Sequence, residues 1–262
     1  MIQKKYSNML KNHYTNIFLF VITLTCSHAY AIAAIEQPSS IFSGELGLVS
    51  QYIYRGGEEN DQLSLQAGLQ YSHASGWNVG YWGSTLNYQP KNDKDHGFEH
   101  DLYIGYECEL NDNWQYAGQL VSYIYQGGGT IYAEDGQSKR PTTGTELIQS
   151  LSYQNFSADL GIMLTDVDYA NAGDVYLQLA YSHALANDFS IQSSFGFSFY
   201  NDNRDDEVVA TIRKNNFTEA RLGLSKDLDN GISIGFDYIW GGRDRYKQDF
   251  DDHAVFGLNY SF

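Results

Sequence analysis

The chain has 262 residues, 42% of them hydrophobic and 15% aromatic, with 32 acidic against 16 basic side chains and a formal net charge of −16. An acid excess of this size argues against nucleic-acid binding, which needs a basic footprint. Mean hydropathy is −0.42, which excludes a series of helical membrane spans but not a β-barrel, since a barrel shows lipid only every second residue.

In chain order, the first segment has the layout of a secretory signal peptide. Lys4, Lys5 and Lys11 precede an apolar run from Ile17 to Thr25, too short to span a membrane as a helix. Small residues follow at Ala29-Tyr30-Ala31, with Ala31-Ile32-Ala33 as a second cleavage option. Cys26 follows Thr23-Leu24-Thr25, which is not the small-residue context of a lipidation site. Removing residues 1–31 takes away three of the 16 basic residues and none of the 32 acidic ones, leaving 13 against 32 and a net charge of −19. Cys108 is then the single cysteine, so neither an internal disulfide nor a cysteine-based zinc cluster is expected. The expected organisation is a signal peptide over 1–31 (cleavage alternatively at 33), a short segment over 32–42, and one β domain over 43–262.

That domain reads as twelve strands with no helix-period segment: 43–54, 62–73, 77–88, 98–109, 114–126, 144–155, 156–167, 173–184, 189–200, 215–227, 231–241 and 252–262. In 62–73, Leu63, Leu65, Ala67, Leu69 and Tyr71 alternate with polar or small residues. In 189–200, Ile191, Phe195, Phe197 and Phe199 do the same. Strands 77–88 and 114–126 can be read on either face. Only 3 prolines against 25 glycines and 22 tyrosines suit long paired strands, because proline removes a ladder hydrogen bond.

A soluble sandwich alternates too, so two further features decide the class. The polar faces carry Gln, Ser, Gly, Asn and Tyr, where a water-exposed sheet would carry Lys and Glu. The connections also alternate, short at 74–76, 110–113, 155/156, 185–188 and 228–230, and longer at 55–61, 89–97, 127–143, 168–172, 201–214 and 242–251. This is the asymmetry of an outer-membrane barrel with short periplasmic turns and long extracellular loops. Tyr52, Tyr54, Trp77, Trp114, Tyr153, Phe189, Tyr238 and Trp240 gather near strand ends as interfacial girdles would. The fold class is therefore all-β, a transmembrane antiparallel barrel of about twelve strands. The last strand is expected to pair with the first, its alternating Phe256, Leu258, Tyr260 and Phe262 serving as a C-terminal assembly signal for the barrel-assembly machinery.

Several stretches resemble the TorF-like porins, a family of exported barrel-like proteins. They are Ser50-Gln51-Tyr52-Ile53-Tyr54-Arg55-Gly56, the hairpin YSHASGWNVGYWGSTLNY from Tyr71 to Tyr88, and Glu99-His100-Asp101-Leu102-Tyr103-Ile104-Gly105-Tyr106. The resemblance is strongest over 45–155, and the second strand departs from it by reading LSLQAG without a proline near Ser64. It implies a pore-type function.

Other motifs do not redirect this reading. Gly231-Ile232-Ser233-Ile234-Gly235 matches the serine-hydrolase elbow, but no helix pattern follows it. Asn201–Glu207 is acidic but lacks the glycine and the spaced glutamate of a calcium loop. Gly127-Gly128-Gly129 lacks the lysine and the strand-to-helix context of a phosphate loop. A lipid hydrolase would need a Ser–His pair facing lipid, and His73, His100, His183 and His253 have no clear nucleophile opposite them. No enzyme activity, catalytic residue, metal site or cofactor is expected. The polar faces instead offer Arg55, Glu99, Asp101, Glu146, Asp159, Glu219, Arg221 and Asp237 as pore-lining candidates. The expected function is passive diffusion of small hydrophilic solutes or ions, cations favoured, across the outer membrane of a Gram-negative bacterium, with lipid and lipopolysaccharide as surroundings. The alternatives are a non-conducting structural or surface-interaction barrel and, below it, a lipid hydrolase.

Overall fold

The computed structural model describes residues 40–88, 95–125, 130–132, 139–202, 207–228 and 230–262. The expected signal peptide, Gly127-Gly128-Gly129 and residues 203–206 of the acidic loop lie outside the described residues. The strands are β1 (Ile41–Val49), β2 (Tyr52–Tyr54), β3 (Gly57–Asn60), β4 (Ser64–Ser72), β5 (Trp77–Leu86), β6 (Gly97–Asn111), β7 (Trp114–Tyr125) and β8 (Thr130–Tyr132). They continue as β9 (Lys139–Pro141), β10 (Thr143–Tyr153), β11 (Phe156–Met163), β12 (Val175–Ala184), β13 (Phe189–Phe199), β14 (Asn215–Asp227), β15 (Ile232–Gly241) and β16 (His253–Ser261). Twelve of them close one antiparallel barrel, running β1-β4-β5-β6-β7-β10-β11-β12-β13-β14-β15-β16 and back to β1. All twelve expected strands are present. The pairs β2–β3 and β8–β9 form two small separate sheets.

Alternation explains the wall. Leu69, Leu102, Ile104 and Phe195 point outward and are each about half exposed, while their sequence neighbours turn inward. Trp77 meets Tyr106 at 5.3 Å and Trp114 meets Tyr153 at 4.8 Å, both tilted, at the short-turn end, and Tyr238 meets Trp240 at 4.8 Å at the long-loop end. The seam pairs Leu46 with Tyr260 and Leu48 with Leu258. Beyond it, the Gly44 and Phe262 amides exchange hydrogen bonds of 2.9 and 3.0 Å. One irregularity matters inside: Gly196 pairs with Glu219 but Phe197 with Phe217, so Thr218 is an extra, bulged residue. Thr218 and Glu219 are consequently both buried, while Phe217 returns to the outer face.

The first expected strand, 43–54, is cut short. β1 ends at Val49, and the chain folds inward as the β2–β3 hairpin. Its two-residue turn is Arg55-Gly56, both with positive φ (53° and 85°), a geometry whose twist matches the flanking strands. Gly56 is also required by space, since a Cβ there would collide with the Thr218 carbonyl and the Phe250 ring. Ile53 anchors the hairpin by packing with Ile239 and Val255. Tyr52 and Tyr54, expected in an interfacial girdle, are therefore inside the barrel, and Arg55 sits on a hairpin turn, not on a wall strand.

The hairpin also explains the two mixed-face strands. β5 and β7 turn Leu86, Val121, Tyr123 and Tyr125 inward as one buried cluster, with Tyr52 and Tyr88 packed on it. Trp82 on β5 meets Tyr52 at 5.6 Å. At the long-loop end, the loops after β11, β13 and β15 are tied together. Buried Arg245 Nη1 lies 2.7 Å from Asp174 Oδ2, and the Asn171 amide donates to the Val209 carbonyl at 2.7 Å.

Candidate functional site in the barrel interior

The hairpin divides the interior. On the β11–β15 side, below the hairpin tip, lies a cavity of about 900 Å³ whose lining includes Asp159, Gln178, Gln192, Glu219, Arg221 and Asp237. Arg55 and Tyr54 also line it, from the hairpin side. Residues of the short turn, Gln154 and Asn155, mark its other end.

At the hairpin tip, four elements converge on one guanidinium. Arg55 Nη2 lies 2.9 Å from both carboxylate oxygens of Glu146 on β10, a side chain with no exposed surface. Tyr123 on β7 donates to the same carboxylate at 2.6 Å, and Tyr54 donates to the Tyr123 oxygen at 3.2 Å. The guanidinium stands over two ring faces, 4.7 Å from the Tyr54 centroid and 4.3 Å from that of Tyr176 on β12. Tyr176 in turn donates to Glu219 Oε1 at 2.9 Å, and Arg221 Nη2 lies 3.5 Å from Glu219 Oε2. Glycines make the room. A Cβ on Gly161 would collide with Glu146, and one on Gly196 would collide with the Tyr176 hydroxyl. Taking this pair out of water is costly, so the second hydrogen bond from Tyr123 and the two ring faces are what make it tolerable.

The eight residues expected in the lumen all face the interior, in two groups. Arg55, Glu146, Asp159, Glu219, Arg221 and Asp237 belong to the tip and the cavity. Glu99 and Asp101, both buried, lie on β6 behind the hairpin. On the same side, Tyr88 donates to Glu59 of the hairpin at 2.5 Å, and the Asn60 amide donates to the Thr85 carbonyl at 2.9 Å. Sequence reasoning missed Tyr54, Tyr123, Tyr176 and the bulged Thr218. The available signal was the Arg55-Gly56-Gly57 run, which reads as a turn and not as a strand interior. Outside the wall strands, burial pushes the Asp168 carboxyl, on the loop after β11, up to about 6.

The histidines stay out of this interior chemistry or play local roles. His73 Nδ1 lies 2.7 Å from Ser75 Oγ but also 3.2 Å from the Ser75 amide, so the nitrogen that would take a hydroxyl proton is accepting the turn's own N–H. His183 meets the Asn155 side chain at 3.0 Å in the neighbouring turn, and His100 meets the Tyr81 hydroxyl at 3.0 Å. His253 is buried, 3.9 Å from Glu58.

Residues 33–256 match the family described as bacterial protein of unknown function (Gcw_chp). The chain belongs to the Gcw_chp family. No curated protein matches it by sequence. Among solved structures, this Gcw_chp barrel is similar to the COG4313 outer membrane channel from Pseudomonas putida F1, at TM-score 0.52 and 12% identity, covering 86% of this chain and 96% of that one. It also matches a structure titled KdgM porin, at TM-score 0.48 and 10% identity, over 84% of this chain and 99% of that one. At such identities the likeness to the COG4313 channel is one of fold, a closed barrel of the outer-membrane type.

Proposed function

We propose that the chain is an outer-membrane channel of a Gram-negative bacterium, passing small hydrophilic solutes or ions by passive diffusion with cations favoured. The observation that carries this reading is the cavity of about 900 Å³ inside a closed, apolar-skinned barrel, with Asp159, Glu219 and Asp237 on its wall. Carboxylates in a cleft with low-dielectric walls focus potential and concentrate cations. The fold shared with the COG4313 channel and the resemblance of residues 45–155 to the TorF-like porins support the same conclusion. Phe256, Leu258, Tyr260 and Phe262 alternate outward along the closing strand, as a signal read by assembly machinery from the lipid side would require. The half-exposed apolar skin suits lipid and lipopolysaccharide as surroundings, and no reaction or cofactor is part of this reading.

The test is single-channel recording of the refolded chain in a planar bilayer under a potassium chloride gradient. Discrete steps with a cation-favouring reversal potential are expected. A silent bilayer, with folding confirmed by a heat-dependent gel shift, would sink the channel reading. The second reading, a non-conducting barrel that acts through its loops, is favoured by one observation: the hairpin packs an apolar cluster into the side behind β5 and β7. Silence that persists after the hairpin is removed would select it.

A further inference from the structure

Arg55 is held the way a binding site holds a ligand. Its guanidinium has an acid that contacts it through both oxygens, two aromatic faces, and an approach from the cavity, and its own side chain is 22% exposed. The groups around it are fixed independently of it. Glu146 is held by Tyr123 at 2.6 Å, and Tyr176 by Glu219 at 2.9 Å. The hairpin that carries Arg55 is likewise held without it, through Ile53 against Ile239 and Val255, Glu59 to Tyr88, and Asn60 to the Thr85 carbonyl. The side chain can therefore leave while the cage and the hairpin remain in place.

We propose that Glu146, Tyr54, Tyr123 and Tyr176 form a guanidinium-recognition site at the hairpin tip, filled in the resting protein by Arg55 as a tethered ligand, and that solutes bearing a guanidinium group compete for it. A planar, delocalised cation fits between two ring faces and against a carboxylate at once, which a compact ammonium does not. The acid-lined cavity leads such a solute to the cage, with Asp159, Asp237 and Glu219 attracting it and Arg221 opposing them. The selectivity follows from the channel reading above; the binding site itself does not depend on conduction.

The experiment uses Arg55→Gly, which keeps the left-handed backbone of the turn, and methylguanidinium as the probe, with methylammonium and sodium as controls. Binding is read by calorimetry on the full barrel in detergent, and conductance by bilayer recording. Methylguanidinium is expected to bind Arg55→Gly about tenfold more tightly than methylammonium, and more tightly than it binds the wild type, where the tether competes. Arg55→Gly is expected to conduct more than the wild type because the side chain no longer fills the cage, and methylguanidinium to return its conductance toward the wild-type value. Adding Glu146→Gln should abolish both effects. Equal binding of the two cations, or binding that survives Glu146→Gln, would overturn the site. If the variant fails to fold, Arg55→Lys serves instead, since it retains a charge for Glu146 but leaves the ring faces poorly filled. Bilayers silent for every variant, with calorimetric binding intact, would remove the channel and leave the cage standing.

Discussion

Behind β5, β6 and β7 the barrel interior is filled: Leu86, Val121, Tyr123 and Tyr125 pack against Tyr52 of the inward hairpin. Behind β11 to β15 it is hollow, with Asp159, Gln178, Gln192 and Asp237 facing a cavity. The outer skin is apolar on both sides, so the difference lies in what the inward positions carry. Apolar and aromatic inward residues call for a filler, and the hairpin supplies it; amides, hydroxyls and carboxylates call for water and solute. A twelve-stranded ring, intermediate between a filled eight-stranded barrel and an open sixteen-stranded one, is thereby narrowed from one side only.

The largest test of this contrast replaces Tyr52–Asn60 with a short Gly-Ser link. Conductance is expected to rise severalfold and tryptophan fluorescence to shift red as Trp82 loses Tyr52. Unchanged conductance would mean that the filled side never limited passage. Next, Glu146→Gln should cost about 1–3 kcal/mol in urea unfolding, because it takes the acceptor from Arg55 and Tyr123 at a fully buried position. Asp237→Asn, on the hollow side, should cost about 1 kcal/mol or less while moving the reversal potential toward anions. A reversed ranking of these two would erase the distinction between a structural and a pore-lining carboxylate.

The smallest expected effect is one of pH and lies outside the wall. Asp168 is pushed up to about 6 by burial, partly opposed by Arg140 and by hydrogen bonds from backbone amides. The folded loop therefore binds its proton more tightly than the unfolded chain, and its stability is greatest below the ordinary aspartate value and falls as pH rises toward 6. Hydrogen-exchange protection of residues 164–174, after correction for the intrinsic pH dependence of amide exchange, should fall between pH 4 and 6.5 and then level off, and Asp168→Asn should flatten that profile.

The period of two made the wall legible, down to all twelve strands, because one face must meet lipid wherever the chain crosses. It also made Glu99, Asp101, Glu146, Asp159, Glu219, Arg221 and Asp237 legible as inward residues. It failed at the hairpin because Leu46, Leu48, Ser50, Tyr52 and Tyr54 continue one parity, and parity carries no information on whether a strand stays in the sheet. The irregular faces of 77–88 and 114–126 were themselves a trace of the filler: Trp82, Leu86 and Val121 are apolar on the inside because a hairpin covers them. The tyrosines of the cage were hidden for a related reason. Tyr123 shares a face with Val121 and Tyr125, and tyrosine at a strand position reads equally well as a girdle, a core or a ligand.

The barrel's seam has a mechanical consequence. β1 is both the strand that closes the ring and the stalk from which the hairpin hangs, and its bonding to β16 runs from Gly44–Phe262 to Ser50–Phe256, whereas against β4 it extends from Ile41 to Val49. Force applied to the hairpin reaches Val49 first, next to the Ser50 side chain that accepts the Phe256 amide at 3.0 Å, and loads that run one residue pair at a time, as peeling does. The closing seam of the wall and the filler of the interior are thus joined end to end. A binder that tugged the hairpin toward the long-loop end would pull on the ring at its closing seam.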